Sequence, residues 1–328
     1  MTSHRAWQFD TFGPFRDVLR LRELPTPSPG DGECLVRLTA LALNFPDLLV
    51  ISGAYQVKPE LPAVPGMEAM GVVEAAGPSA RFRPGQRVCV NGVNGAFAEK
   101  GVFPDALLLE VPEGMSDEQA AAFHVTYQTS LFALDHRAGL KAGETLLVHG
   151  AAGGVGTAAV QLGKALGARV IATAGGPAKT AVAKACGADE VIDTRTEDFV
   201  ARVKALTDGR GADVIYDPIG GTTFDQSTKV LAFEGRLLVI GFASGVIPTV
   251  AVNRLLLKTA SVVGLQWGMY KFVAPEKVQA AHERLSAMFR EGRLAPVIDP
   301  RRFSFEQLPD ALAHLESRAA VGKVVVGG

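Results

Sequence analysis

Short apolar runs broken by proline and glycine fill the first third of the chain, and a different rhythm takes over near Asp117. Leu35-Val36-Arg37-Leu38, Gly71-Val72-Val73-Glu74-Ala75-Ala76 and Gln86-Arg87-Val88-Cys89-Val90 read as strands, separated by clusters such as Pro25-Thr26-Pro27-Ser28-Pro29-Gly30. Residues 1–122 are therefore expected to form a mostly antiparallel β domain. Ser116-Asp117-Glu118-Gln119 then reads as a helix start, with Ser116 as N-cap and Gln119 at the capping-box position. Beyond it, strands at 145–149, 169–174, 191–193, 212–217, 236–240 and 261–265 alternate with helical stretches such as 154–166 and 178–186. Apolar strands alternating with helices predict a parallel, doubly wound sheet over 123–267, an α/β architecture. Residues 275–290 read as a long amphipathic helix and 323–326 as a last strand. The segment 268–328 is expected to return to the first domain, with a substrate cleft between the two domains.

The first parallel strand carries the strongest chemical signal. Leu146-Leu147-Val148 runs into Gly150-Ala151-Ala152-Gly153-Gly154-Val155-Gly156 and then into a helix. This is the G-x-G-x-x-G pattern with Ala151 at the first glycine, followed by Gly153 and Gly156. Small residues let the backbone approach a pyrophosphate, and the helix start supplies N–H groups and partial positive charge. The plain alternative is a tight turn without a ligand; the strand–turn–helix context favours a dinucleotide. An acid about 20 positions on would hold the adenosine ribose hydroxyls and select NAD. Here the second strand ends Thr173-Ala174-Gly175-Gly176, without one, and Lys179 follows. NADPH is the expected cofactor, with Gly175 and Lys179 at its adenosine end; a solvated helix lysine is the alternative for Lys179.

Bulk properties remove other classes. A chain of 328 residues suggests two domains. A formal net charge of −1 offers no basic surplus for nucleic acid. No apolar stretch is long enough to insert in a membrane, and Met1-Thr2-Ser3-His4-Arg5-Ala6-Trp7 does not resemble a secretory signal, so a cytoplasmic location is expected. Cys34, Cys89 and Cys186 are too scattered for a disulfide framework. The six histidines do not cluster, and no hydrolase triad is visible. His149, at the end of the first parallel strand, is expected to be a satisfied structural residue.

Several stretches together resemble one family. They are Asn44-Phe45-Pro46-Asp47 with Gly53-Ala54-Tyr55; Leu61-Pro62-Ala63-Val64-Pro65-Gly66-Met67-Glu68; Val125-Thr126-Tyr127-Gln128; the glycine turn; Tyr216-Asp217-Pro218-Ile219-Gly220-Gly221; Gly264-Leu265-Gln266-Trp267-Gly268; and Gly322-Lys323-Val324-Val325-Val326. In this order they resemble the zinc-independent branch of the medium-chain dehydrogenase/reductase superfamily, the NADPH:quinone oxidoreductases. The resemblance implies a GroES-like β domain beside a Rossmann domain. Zinc-dependent relatives carry Cys where Asn44 stands and His where Met67 stands, and their third ligand position falls near Ala121. No metal is therefore expected.

Without a metal Lewis acid the acceptor should itself be electrophilic: a quinone or conjugated carbonyl. Enoyl-thioester or enone reduction is the enzymatic alternative, with Lys58 and Arg254 as candidates at a carrier site. A crystallin-like protein that binds the cofactor without using it is the non-enzymatic one. The resemblance places Asn44 and Asp47 near the nicotinamide and Thr126 near its ribose; Phe242, Ser244, Gln266 and Trp267 border its carboxamide, and Lys323 is also assigned to the cofactor. It sets Thr194 where relatives have a phosphate-binding tyrosine, and Arg195 beside it offers compensation. Tyr55 matches the proposed proton donor of related enoyl reductases. The plain alternatives are a helix cap for Asn44 and Asp47, packing for Trp267 and a pocket wall for Tyr55. Apolar residues 255–267 late in the nucleotide sheet imply a homodimer through a sheet edge.

Overall fold

The strand Glu33–Ala42 organises the first unit of the computed structural model, which describes residues 2–327. It is apolar on both faces, with Arg37 alone fully exposed, because other strands and helices cover it on both sides. It pairs antiparallel with Glu68–Ala76, Lys100–Pro104 and Val325–Gly327. The sheet continues through Arg87–Asn91 to Leu108–Glu110. Phe9, Leu43, Ile51, Phe97, Leu108 and Leu312 pack in its core. This unit takes residues up to 125 and again from 296 onward.

The second unit, 126–295, is built on six parallel strands. In spatial order they are Glu190–Asp193, Arg169–Ala174, Thr145–Val148, Ala212–Asp217, Leu231–Val239 and Ser261–Gly264. Chain direction across the sheet reverses at Thr145–Val148, which is buried throughout and pairs with Arg169–Ala174 on one side and Ala212–Asp217 on the other. The carboxyl end of such a reversal is where ligands bind in open α/β sheets. Helix Gly154–Ala165 follows directly and buries Val160 and Leu162. Among the described residues no helix is long and apolar enough to cross a membrane.

Three features differ from the sequence pattern. The strand expected at 236–240 starts earlier, at Leu231, because Glu234 takes a positive φ of 58° and breaks the apolar run with a bulge. The helix Phe45–Ser52 was hidden in an apolar run. The segment 268–295, expected with the first domain, clusters with the second unit. There Gln128 Nε2 donates to Val278 O at 3.3 Å, and Arg284 pairs with Asp135 at 2.7 Å. The Ser116 cap forms as read, with Gln119 N donating to Ser116 Oγ and Ser116 N to Gln119 Oε1, both at 3.2 Å.

The returning tail is fixed by one buried acid. Asp299 accepts from His314 Nε2 at 3.0 Å, from Val321 N at 2.9 Å and from Arg301 N at 2.9 Å. Replacing Asp299 with Ala strands these donors and should cost about 2–4 kcal/mol, seen as a lower unfolding midpoint. An unchanged midpoint would show that the tail is held by its apolar contacts alone.

Candidate functional site

The end of Thr145–Val148 delivers the chain into the glycine turn. Ala151 N donates to Thr173 O at 3.0 Å, which ties the turn to the neighbouring strand. Gly153 N closes the turn on Gly150 O at 3.0 Å and Gly153 caps the helix Gly154–Ala165. The N–H groups of Gly154, Val155 and Gly156 lie in the helix's first turn, where no intrahelical acceptor exists. No acid occupies that turn, so its positive potential is uncompensated. Gly156 is required by space: a Cβ there would stand 2.1 Å from Gly150 O. Helix and turn can approach this closely only around a hydrogen.

His149, just before the turn, is bonded on both nitrogens. Nδ1 lies 2.9 Å from Thr173 Oγ1 and Nε2 2.8 Å from Ser227 Oγ. Ser227 Oγ donates to Thr223 O at 2.7 Å, so it accepts from Nε2–H, and Nδ1 accepts from Thr173. Burial pushes the imidazole pKa down to about 3. His149 is a neutral brace between strand and helix.

The other residues expected at a cofactor are distributed as follows. Gly175 ends Arg169–Ala174, and Thr194 faces it from the next strand: Thr194 N and Oγ1 both donate to Ala174 O, at 3.0 and 3.4 Å. Lys179 is half-buried in the first turn of the helix Pro177–Ala185. Phe242 and Ser244 belong to the loop after Leu231–Val239, where Ser244 N donates to Ile219 O at 2.9 Å. Asp217 orders that neighbourhood by accepting from Ile219 N at 2.8 Å and Gly220 N at 3.0 Å. Thr126 is buried on the helix His124–Leu131. Gln266 is exposed, while Trp267 is buried with Lys271 Nζ 4.9 Å from its ring centroid. Arg254 is paired with Asp225, and Lys58 Nζ stands 5.7 Å from the centroid of Phe12.

The first unit holds a second constellation, wholly buried. Asn44 caps the helix Phe45–Ser52, and Asp47 Oδ2 accepts from Asn44 N at 2.7 Å, half of a capping box. Asn44 Nδ2 donates to Glu68 Oε2 at 3.2 Å and Ala42 O at 3.4 Å. Lys323 Nζ donates to Asn44 Oδ1 at 2.6 Å, to Glu68 Oε2 at 2.9 Å and to Leu43 O at 2.9 Å. Val125 N donates to Glu68 Oε1 at 2.8 Å. An ammonium has three hydrogens, and Lys323 spends all of them here. It therefore has no donor left for a cofactor phosphate. The Asn44 amide is engaged at both ends in the same way.

Asp47 is fully buried, and its other oxygen faces the Met67 backbone N–H without a well-formed bond. Burial outweighs that backbone, the Asn44 bond and the Lys323 charge, and pushes its pKa up to about 7. Tyr55 is placed by the end of the same helix. Gly53 takes a left-handed φ of 76°, and Tyr55 N then bonds back to Leu49 O at 3.0 Å. Burial raises the phenol's pKa, and the Asp47 charge raises it further. Tyr55 stays protonated, and Asp47's charge governs how firmly.

Sequence reading missed Glu68 as a site residue. Its signal was there: an acid inside the apolar run Met67-Glu68-Ala69-Met70 demands a buried partner. Met67 and Ala121 are buried and offer a thioether and a methyl. Among the described residues no group of three or more His, Cys, Asp or Glu is placed to hold a metal ion.

The chain matches two family models. Residues 30–113 match the alcohol dehydrogenase GroES-like domain, and residues 154–287 match the zinc-binding dehydrogenase model. It is 37% identical over 324 residues to a quinone oxidoreductase of Pseudomonas aeruginosa, covering 97% of this chain and 98% of the other. The Escherichia coli quinone oxidoreductase crystallised with NADPH superposes with a TM-score of 0.90 at 30% identity, covering 100% of both chains. A mycobacterial protein, Rv1454c, also solved in complex with NADPH, gives a TM-score of 0.92 at 34% identity and covers 99% of this chain and 100% of the other.

Proposed function

Because the chain belongs to the quinone oxidoreductase branch of the medium-chain dehydrogenase/reductase superfamily, we propose that it reduces quinones or similarly conjugated carbonyls with NADPH and without a metal. The observation that carries this reading is the buried Lys323–Asn44–Glu68 cluster. Asn44 stands where zinc relatives carry a ligand, and its amide oxygen already accepts from an ammonium at 2.6 Å. Glu68, whose carboxylate accepts from the Asn44 amide, is paired with the same ammonium. Met67 and Ala121 offer no charged or nitrogen donor. This donor set does not fit zinc, which needs about three converging N, S or O side chains. A simple alcohol or ketone would have no metal to polarise it, which favours an acceptor that brings its own electrophilicity.

NADPH, when bound, supplies the hydride. The turn 150–156 receives its pyrophosphate, with Gly154, Val155 and Gly156 offering N–H groups. Gly175 brings no acid of its own to the adenosine end. Phe242, Ser244, Thr126, Gln266 and Trp267 remain candidates for the nicotinamide end. Tyr55 supplies the proton that a reduced quinone oxygen or enone carbon requires. Asn44 and Lys323 act as positioning residues: they hold the helix start that carries Asp47. The acyl-carrier alternative has less support, since Arg254 is already engaged by Asp225.

NADPH oxidation should be followed with quinones, enones, enoyl-thioesters and simple ketones, with and without a zinc chelator. Turnover of conjugated acceptors, indifferent to the chelator, is expected. Activity confined to simple ketones or dependent on zinc defeats the reading, and NADPH binding without consumption across the panel favours a crystallin-like role.

The pH profile tests the proton path. Above about 7 Asp47 ionises, and its charge makes Tyr55 a weaker acid. Turnover should therefore hold below that pH and fall above it. Asp47→Asn should flatten the fall, and Tyr55→Phe should lower kcat roughly a hundredfold with NADPH affinity kept. An unchanged rate in Tyr55→Phe leaves that ring as packing.

We also propose a homodimer. Ser261–Gly264 is the terminal strand of the parallel sheet, and Leu256 and Leu257 beside it are 78% and 77% exposed. Light scattering should give twice the chain mass, whereas a monomer at micromolar concentration rules this out.

A further inference from the structure

We propose that Arg195 selects NADPH over NADH by gripping the adenosine 2′-phosphate. The proposal rests on the NADPH reading above and extends it to a cation that this chain supplies by its own route. In a sheet of this strand order the adenosine ribose lies at the carboxyl end of the second strand, where an acid would take the hydroxyls. Here Arg169–Ala174 runs out into Gly175 and Gly176, which present no side chain. The Arg195 guanidinium fills that room. A Cβ on Gly176 would stand 2.9 Å from its Nη1 and 3.1 Å from its Cζ, and one on Gly175 3.7 Å from its Nε. A cation thus lies where NAD-selective sheets carry an acid.

The turn that carries Arg195 is fixed to the same strand end. Asp193 Oδ1 accepts from Gly176 N at 2.8 Å and from Arg195 N at 2.9 Å, and Thr194 N donates to Ala174 O at 3.0 Å. These bonds also decide the local charge. The two backbone N–H groups hold the Asp193 carboxyl below its usual range. Glu197 accepts from Asp193 N at 3.0 Å and pairs with Arg202 at 2.8 Å. Both nearby acids are committed, and among the described residues none forms an ion pair with the Arg195 guanidinium. That side chain is exposed and keeps its charge for an incoming anion.

Neighbouring candidates are weaker. The Thr194 hydroxyl points its hydrogen at Ala174 O, 3.4 Å away, so it donates to its own sheet. Lys179 offers a point charge, whereas a guanidinium offers a planar fork of N–H groups that matches two phosphate oxygens. The bland reading, a solvated surface arginine, leaves unexplained why the guanidinium lies against two consecutive glycines at the strand end.

The test is calorimetric titration of adenosine 2′,5′-bisphosphate and of 5′-AMP into the wild type, Arg195→Ala, Arg195→Lys and Lys179→Ala. The wild type should bind the bisphosphate more tightly. Arg195→Ala should raise the bisphosphate Kd about tenfold or more, leave 5′-AMP unchanged, and be partly rescued in Arg195→Lys. KM for NADPH should rise in parallel while that for NADH holds. No loss in Arg195→Ala, an equal loss for both ligands, or the whole effect appearing in Lys179→Ala overturns the assignment to Arg195. A wild type that does not prefer the bisphosphate removes the NADPH reading itself.

Discussion

A single buried ammonium holds the first unit's chemistry in place. Lys323 comes from the last strand-forming segment, yet it bonds to residues 43 and 44 at a helix start and to Glu68 at the start of a strand. Taking a lysine and a glutamate out of water is expensive, and the pair returns that cost only if every remaining hydrogen and lone pair finds a partner. Here that condition is largely met: three acceptors for the ammonium, and the Val125 and Asn44 donors for the carboxylate. Removing one partner would leave a charge buried without compensation, typically a loss of about 3–5 kcal/mol. The geometry of Asn44, and through it of the helix Phe45–Ser52 that carries Asp47 and precedes Tyr55, depends on this pair. The tail beyond residue 296 is thus a structural part of the first unit's site.

The second unit solves a different problem with backbone alone. Its turn leaves the N–H groups at a helix start uncovered, because its side chains are too small to intervene. Gly156 is dictated by the carbonyl of Gly150, whereas a Cβ at Gly153 would meet nothing nearer than 3.5 Å. The two glycines of one motif therefore differ: packing requires Gly156, whereas the turn's own packing leaves room for a side chain at Gly153. His149 behind the turn adds rigidity because burial keeps it neutral and both nitrogens are bonded.

Much of this was legible in the sequence, for identifiable reasons. The strand–turn–helix at 145–166 was readable because apolar period and glycine spacing agree. The Ser116 cap was readable because its signature is local. Of the two readings of Asn44 and Asp47, the cap is what the structure displays; their role at a nicotinamide belongs to the proposed function. What escaped was non-local. No spacing links Lys323 to Glu68, 255 positions away, so the sequence offers no sign that the Lys323 hydrogens go to Leu43, Asn44 and Glu68. Arg195 was visible only as a neighbour of Thr194; its position over Gly175 and Gly176 depends on strands that meet in space. The bulge at Glu234 concealed half a strand, because its polar residues look like a loop until the register is known.

Charge is handled in opposite ways in the two units, and the contrast has a physical logic. The first unit neutralises Lys323 inside its own network, with all three ammonium hydrogens on buried acceptors. Beside it Asp47 is poorly compensated, a carboxyl whose pKa of about 7 lets it be neutral or charged as conditions change. If Arg195 grips a phosphate, as we propose, an internal partner would weaken it for that task. In the second unit the acids Asp193 and Glu197 go to backbone N–H groups and to Arg202, Arg195 is exposed, and among the described residues none forms an ion pair with it. A guanidinium without an internal partner costs little at a surface, where water solvates it until a better-matched anion arrives.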